Sequence, residues 1–159
     1  MSLDSDLFRS VLGRFASGVT VVTALDHEGR DHGMTVSAFA SLSLEPPLIL
    51  ACIDRQASTH RVITTAEWIV VNVLSAEQEP LSRRFSYLDS AARFEGVGFS
   101  RSLHGAAILD DVLAFLECRI VQCLDGGDHT IVVAEVETAD ARDEKPLLYY
   151  RGGYAQLER

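Results

Sequence analysis

The chain has 159 residues, of which 47% are hydrophobic and 23% charged, and 14 basic against 23 acidic side chains give a net charge of −9. A chain of this length buries most of the surface it exposes when unfolded, and its composition excludes a disordered tail, a collagen-like repeat and a coiled coil. The acidic balance repels phosphate polymers and anionic lipid, so neither nucleic acid nor a membrane surface is expected as a partner.

The first residues read Met1-Ser2-Leu3-Asp4-Ser5-Asp6, with no basic region followed by an apolar one, and no secretory signal is expected. Leu3, Leu7, Phe8, Val11, Leu12 and Phe15 fall on one helical face, with Asp4 or Ser5 as its cap and Gly18 as its stop. Residues 19–25 are dense in β-branched side chains and end at the turn signal Asp26-His27-Glu28-Gly29. An extended run resumes at 34–36, residues 39–44 alternate small or polar with apolar, and Glu45-Pro46-Pro47 breaks the pattern. Residues 48–53 form a continuous apolar run, read as a strand buried on both faces and far short of the ~18 residues that cross a bilayer.

Residues 58–65 predict a short helix capped by Ser58 or Thr59, and 68–73 a further strand. Ser75-Ala76-Glu77-Gln78 has the capping-box spacing and opens a helix carrying Leu81 and Phe85. Between 86 and 111 the periodicity fades into a long connection, of the kind that is functional or mobile in compact domains. Residues 114–124 and 130–138 read as two long strands joined by a hairpin at Asp125-Gly126-Gly127-Asp128. The tail holds Tyr149, Tyr150, Arg151 and Tyr154. Nothing resembling a linker or repeat interrupts the chain, so residues 1–159 are expected to form one domain. Many short strands with few helices favour a mainly β, barrel-like architecture with peripheral helices.

Cys52, Cys118 and Cys123 lack metal-ligand spacing and sit in apolar runs, which reads as inert core thiols in a reducing, cytoplasmic setting. No metal site is expected. Phosphate loops of the Rossmann and Walker types, paired-histidine zinc motifs and a nucleophile elbow are also missing from the sequence. Arg55-Gln56-Ala57-Ser58-Thr59-His60-Arg61 gathers hydroxyls and cations at a helix start, and Arg83 and Arg84 form a second basic pair. These residues suit an anion, or they are a helix cap and solvated arginines. The run from Gly33 to Pro47, passing Phe39, leaves a strand through small and hydroxyl residues; it suits a flat heteroaromatic ring, or it is an ordinary strand bend. His27, His32 and His104 read as surface residues.

That run, continued by Leu48-Ile49-Leu50-Ala51-Cys52-Ile53-Asp54 and Ser58-Thr59-His60, resembles the flavin-binding half of the short-chain flavin reductases. These are the reductase partners of two-component flavin monooxygenases, built on the FMN-binding split barrel. Further matches include Phe15-Ala16-Ser17-Gly18-Val19-Thr20-Val21-Val22-Thr23, Val71-Asn72-Val73-Leu74, Arg84-Phe85-Ser86, Leu116-Glu117-Cys118, Gly127-Asp128-His129 and the stretch from Pro146 to Tyr154. Departures at Gly98-Phe99, Ala107 and Ala134 fall mainly outside the flavin contacts that the resemblance implies.

The resemblance implies a homodimeric, six-stranded antiparallel Greek-key-like split barrel with flavin in a groove near the subunit interface. Thr35, Val36, Ser37 and Ala38 then face the ring and ribityl chain, with space for it beside Phe39, and Cys52, Ile53 and Asp54 supply backbone contacts at the next strand's end. Ser58, Thr59 and His60 hold the phosphate end, completed by Arg84, Phe85 and Ser86. Asp128 and His129 lie by the nicotinamide, with Arg151 and Tyr154 beside them, and His129 is the expected catalytic residue. A histidine on a hairpin end is otherwise just a polar turn residue. The implied reaction passes electrons from NADH, or less favourably NADPH, to FMN or FAD for a separate monooxygenase. The alternative is a split-barrel FMN binder that uses no nicotinamide; a pyridoxamine-phosphate type oxidase lacks its basic substrate motifs here.

Overall fold

Where β-branched residues are densest, the chain runs as strands. A computed structural model describes residues 2–158; Met1 of the N-terminal reading and Arg159, the last residue of the expected domain, lie outside the described residues. In chain order the main sheet collects β2 (Thr20–Leu25), β3 (Asp31–Val36), β4 (Phe39–Ser43), β5 (Leu48–Asp54), β6 (Trp68–Val73), β9 (Ala114–Gly126) and β10 (His129–Ala141). A short β1 (Ser17–Gly18) pairs with β11 (Leu147–Tyr150), which pairs with β12 (Gly153–Gln156), and β7 (Phe99–Arg101) pairs with β8 (Ala107–Leu109).

The main sheet has seven strands in the order β3-β2-β6-β9-β10-β5-β4, every neighbouring pair antiparallel. The expected count of six is therefore short by one. Its two edges, β3 and β4, are consecutive in the chain and separated only by Ser37 and Ala38. Among the described residues β3 takes no ladder partner but β2, which leaves an open seam where the chain turns from β3 into β4.

Alternation explains the core. Along β5, Ile49, Ala51 and Ile53 are buried while Leu48, Leu50 and Cys52 are half-buried, so this strand has one core face rather than the two expected. Val22, Ile63, Ile69, Val71, Cys118 and Val132 join the first cluster inside the sheet. A second cluster places Phe85, Leu74, Leu109 and Leu147 under α3 (Glu79–Tyr87). Beside this second cluster lies buried Asn72, whose amide donates to the Val21 carbonyl (3.0 Å) and accepts from the Leu109 N–H (2.9 Å). Each such buried partner is costly to orphan, by about 1–3 kcal/mol.

The helices depart from expectation at their ends. In α1 (Ser5–Leu12) the Asp4 carboxylate accepts from the Leu7 N–H, but Gly13 and not Gly18 closes the helix. Its apolar face is uncovered, and Phe15 beyond it is 81% exposed. Thr59 precedes α2 (His60–Thr65) without capping it through its side chain. Before α3, half of the capping box forms: the Gln78 side chain accepts from the Ser75 N–H, while the Ser75 hydroxyl donates to the Asp111 carbonyl. The long connection is ordered by a 3₁₀ turn (Ser90–Ala92), the β7–β8 hairpin and edge-on packing of Phe94 between Phe85 and Phe99.

Candidate functional site

The seam between β3 and β4 opens into a groove of about 450 Å³. Its wall is Met34, Thr35, Val36, Ser37 and Ala38, where the sheet edge has no partner strand on that side. Cys52 and Asp54 close it from the end of β5, Ala57 and Ser58 from the turn before α2, and Phe85, Ser86 and Arg93 from above. His129 completes the rim. The volume lies in the range of small-molecule sites, roughly 300–1,000 Å³.

Local chemistry fixes each part. The Thr35 hydroxyl donates to the Ser82 carbonyl of α3 at 2.6 Å, tying the groove wall to that helix. Asp54 and His129 are opposed residues of the β5–β10 ladder. The turn that delivers His129 is tighter than expected: Gly127 and Asp128 alone join the strands, and Gly127 takes the left-handed conformation at φ 76° that favours glycine. The His129 ring bonds the Asp128 carboxylate through Nδ1 at 2.6 Å. This bond, with the charge of His129 behind it, holds the Asp128 carboxyl below the usual carboxylate range. Burial pushes the Cys52 thiol up, so the sulfur facing the groove stays protonated at neutral pH.

Of the residues expected here, Thr35, Val36, Ser37, Ala38, Cys52, Asp54, Ser58, Phe85, Ser86 and His129 come together around this groove. The others stand elsewhere. Ile53 is fully buried in the core, and Phe39 packs against it, because strand alternation turns both away. The His60 ring pairs with the Thr130 hydroxyl at 2.9 Å. Thr59 is buried and its hydroxyl has no hydrogen-bond partner. Asp128 reaches the site only through His129. Arg151 is held at the end of α1, its N–H donating to the Gly13 carbonyl, and Tyr154 bonds Ser82 through its hydroxyl at 2.7 Å.

Arg84 stands apart from the lining of this groove. Its guanidinium donates to the carbonyls of Ala92, Arg93 and Glu95 and pins the connection in place. The cation that lines the groove is Arg93, which the sequence reading missed along with Ala57. Arg93 sits in a stretch without periodicity or motif. Met34 was legible as the residue that opens the strand-edge run.

A second hollow of about 660 Å³ runs along α2 past Arg61, Trp68 and His104 and shares only Ser58 with the expected set. His104 is no idle surface residue: its ring stacks on Trp68 with 3.5 Å between centroids. Its Nε2 bonds Glu137 at 2.9 Å, while buried Glu117 accepts the His104 N–H at 2.9 Å. Ligand-capable atoms of these three lie within 4.8 Å of one another, from three separate segments, which is why no metal spacing is visible in the sequence. His32 likewise bonds Asp26 at 2.9 Å, and His27 is exposed. The cysteines divide: Cys118 is buried and its thiol is pushed up to about 12 by burial and Glu117, whereas Cys123 is exposed rather than in the core.

The description "flavin reductase like domain" matches residues 12–158. The chain belongs to this flavin reductase family. It is 43% identical over 155 residues to the reductase component of a 4-nitrophenol 4-monooxygenase/4-nitrocatechol 2-monooxygenase from Rhodococcus opacus, covering 98% of this chain and 82% of that one. It is 41% identical to the FMN reductase (NADH) SmoA of Agrobacterium fabrum, over 98% of this chain and 88% of the relative. The structure of the NADH:FAD oxidoreductase SgcE6 from Streptomyces globisporus, solved with NAD and FAD fragments, superposes with a TM-score of 0.91 at 34% identity, covering 99% and 97% of the two chains. As a flavin reductase of the split-barrel type, the protein is an oxidoreductase whose groove lies at the barrel's seam. Among the described residues, no helix is long and apolar enough to cross a membrane.

Proposed function

We propose that the protein oxidises NADH, or NADPH with less preference, and reduces FMN or FAD, which leaves to supply a separate monooxygenase. The observation that carries this reading is the convergence of Thr35, Val36, Ser37, Ala38, Ser58, Phe85 and His129 on one groove. The residues fit a flavin. The unpaired seam presents main chain to a flat ring, the walls are apolar at Met34, Val36 and Ala38, and buried Arg93 adds a cation to the lining. When bound, flavin and nicotinamide supply the hydride chemistry themselves.

What remains for the chain is positioning. Residues 35–38 seat the ring, and backbone groups along the seam stabilise the charge gained on its pyrimidine side. His129, oriented by Asp128, contacts the nicotinamide carboxamide or ribose. Phe85 excludes water from one end. No acid–base pair or nucleophile is needed, in keeping with the sequence.

We read the chain as one domain and the working form as a homodimer. Leu7, Phe8, Val11, Leu12 and Phe15 leave an apolar face without a cover in the single chain, and light scattering at micromolar concentration is expected to give twice the chain mass. A cytoplasmic location is consistent with three free cysteines. The test of the activity is NADH consumption with and without added flavin. An FMN binder that uses no nicotinamide would instead keep a yellow chromophore that NADH does not bleach.

A further inference from the structure

Away from the groove, three side chains from three separate segments meet. His104 stands in the turn between β7 and β8, Glu117 in β9 and Glu137 in β10, and one donor atom from each lies within 4.8 Å of the other two. None of the three lines the groove at the seam. Glu117 is fully buried, and among the described residues no lysine, arginine or histidine side chain stands at ion-pair distance from it. Its Oε2 accepts the His104 N–H at 2.9 Å, but its Oε1 has only the Thr138 hydroxyl, at 3.5 Å, too far for an O–H donor to satisfy a carboxylate. A buried charge without a counter-charge is costly, so this place calls for a cation. The backbone brings a second carboxylate to it. Cys118 pairs with Val136 and Glu117 with Thr138, so Glu137 is the extra residue of a β-bulge, which re-aims its side chain beside Glu117. The third donor is held as well: the His104 ring lies flat on Trp68, with 3.5 Å between centroids and 3° between planes, and its Nε2 meets Glu137 at 2.9 Å.

We infer that His104, Glu117 and Glu137 form a zinc site that pins the β7–β8 turn to the β9–β10 ladder. One imidazole nitrogen and two carboxylate oxygens are a donor set that zinc accepts, whereas magnesium and calcium take oxygen ligands. Zinc bonds of about 2.0–2.2 Å place tetrahedral donors roughly 3.3–3.6 Å apart, and water takes the fourth position. The side chains of His104 and Glu137 are 29% and 43% exposed, which gives the ion a way in and lets the Glu137 carboxylate swing to that spacing. The ion supplies the counter-charge that buried Glu117 otherwise has no basic side chain to give, and the stack on Trp68 fixes the plane of the imidazole. Hydride transfer makes no use of this site, so the inference and the reductase reading stand or fall separately.

The test uses the purified full chain, treated with EDTA, dialysed and titrated with zinc chloride by calorimetry. Trp68, the one tryptophan of the chain, gives a second readout through its emission. The expected result is one zinc per chain with a Kd of about 1 μM or tighter, and a change in Trp68 emission that saturates with it. Zinc at roughly a hundredfold over Kd is expected to raise Tm by about 5 °C, and magnesium chloride to do neither. His104→Ala and Glu137→Gln are each expected to weaken zinc binding at least about tenfold, while Cys123→Ser, at an exposed thiol elsewhere, leaves it unchanged. Should Glu117→Gln fail to fold, these two partly exposed ligands still decide. Flavin-dependent NADH oxidation is followed in parallel and is expected to persist in both variants. No saturable zinc binding, an affinity unchanged in either His104→Ala or Glu137→Gln, or binding lost with Cys123→Ser would overturn the inference while leaving the reductase reading intact.

Discussion

The Phe85 ring stands 2.8 Å from the point that a Cβ on Gly33 would occupy. Helix α3 can therefore lie against β3 only because position 33 has no side chain, and this contact sets the height of the groove's roof. Gly33→Ala is expected to force the ring aside, lowering stability by about 1–3 kcal/mol and weakening flavin binding with it. Adding Phe85→Leu to the same chain should recover part of the loss. An unchanged Tm for Gly33→Ala would show that the roof is softer than described.

His129 and Asp128 form a separate pair at the rim. His129→Ala is expected to lower kcat/KM for NADH by about tenfold or more while moving flavin affinity far less. Matching losses in both would point to damage in the hairpin instead. The sign of the pH effect follows from Asp128, whose folded carboxyl titrates below its unfolded value because of the histidine bond. The pair is fully formed above the ordinary carboxylate range and is lost as the pH falls through the depressed folded value. Asp128→Asn should thus reduce NADH use at neutral pH, where the wild type is unaffected. An Asp128→Asn profile that overlays the wild type would remove the carboxylate from the site.

Cys52 gives a footprint of the groove. Its thiol titrates above the usual range through burial, so alkylation by iodoacetamide is expected to be slow at pH 7 and to rise as the pH climbs past the ordinary thiol value. Saturating FMN should block the reaction at Cys52 and leave exposed Cys123 open, while buried Cys118 stays unmodified throughout. Peptide mass spectrometry reads all three. Modification of Cys52 at the same rate with FMN present would place the ring elsewhere.

Asn72 tests the scaffold apart from the site. It ties β2 to β8 through the Val21 carbonyl and the Leu109 N–H, and Asn72→Leu leaves the Leu109 N–H without its acceptor. A loss of about 1–3 kcal/mol is expected in urea unfolding. Stability equal to the wild type would mean that water or a shift of β8 satisfies that N–H.

Much of this was legible in the residues. The β-branched runs at 19–25 and 68–73 and the long pair at 114–124 and 130–138 announced the sheet, and the small-residue run after Gly33 announced its seam. What escaped was decided by tertiary placement. Phe39 and Ile53 share a stretch with lining residues, and the strand's two-residue period, fixed by its partners, turns their side chains inward and leaves only their main chain for the backbone contacts expected of them. Arg84 and Arg93 lie nine positions apart and both donate to carbonyls, and no local pattern tells that only Arg93 also lines the groove. The stop of α1 at Gly13 was missed because Gly18 followed the last apolar residue of the face, while Gly13 sits inside the periodic stretch.

The most direct test is the steady-state oxidation of NADH by the purified chain, followed at 340 nm with riboflavin, FMN and FAD in turn. A rate that depends on added flavin and saturates with it is the predicted result. NADH that persists unchanged at every flavin concentration, with NADPH equally inert, would contradict the account.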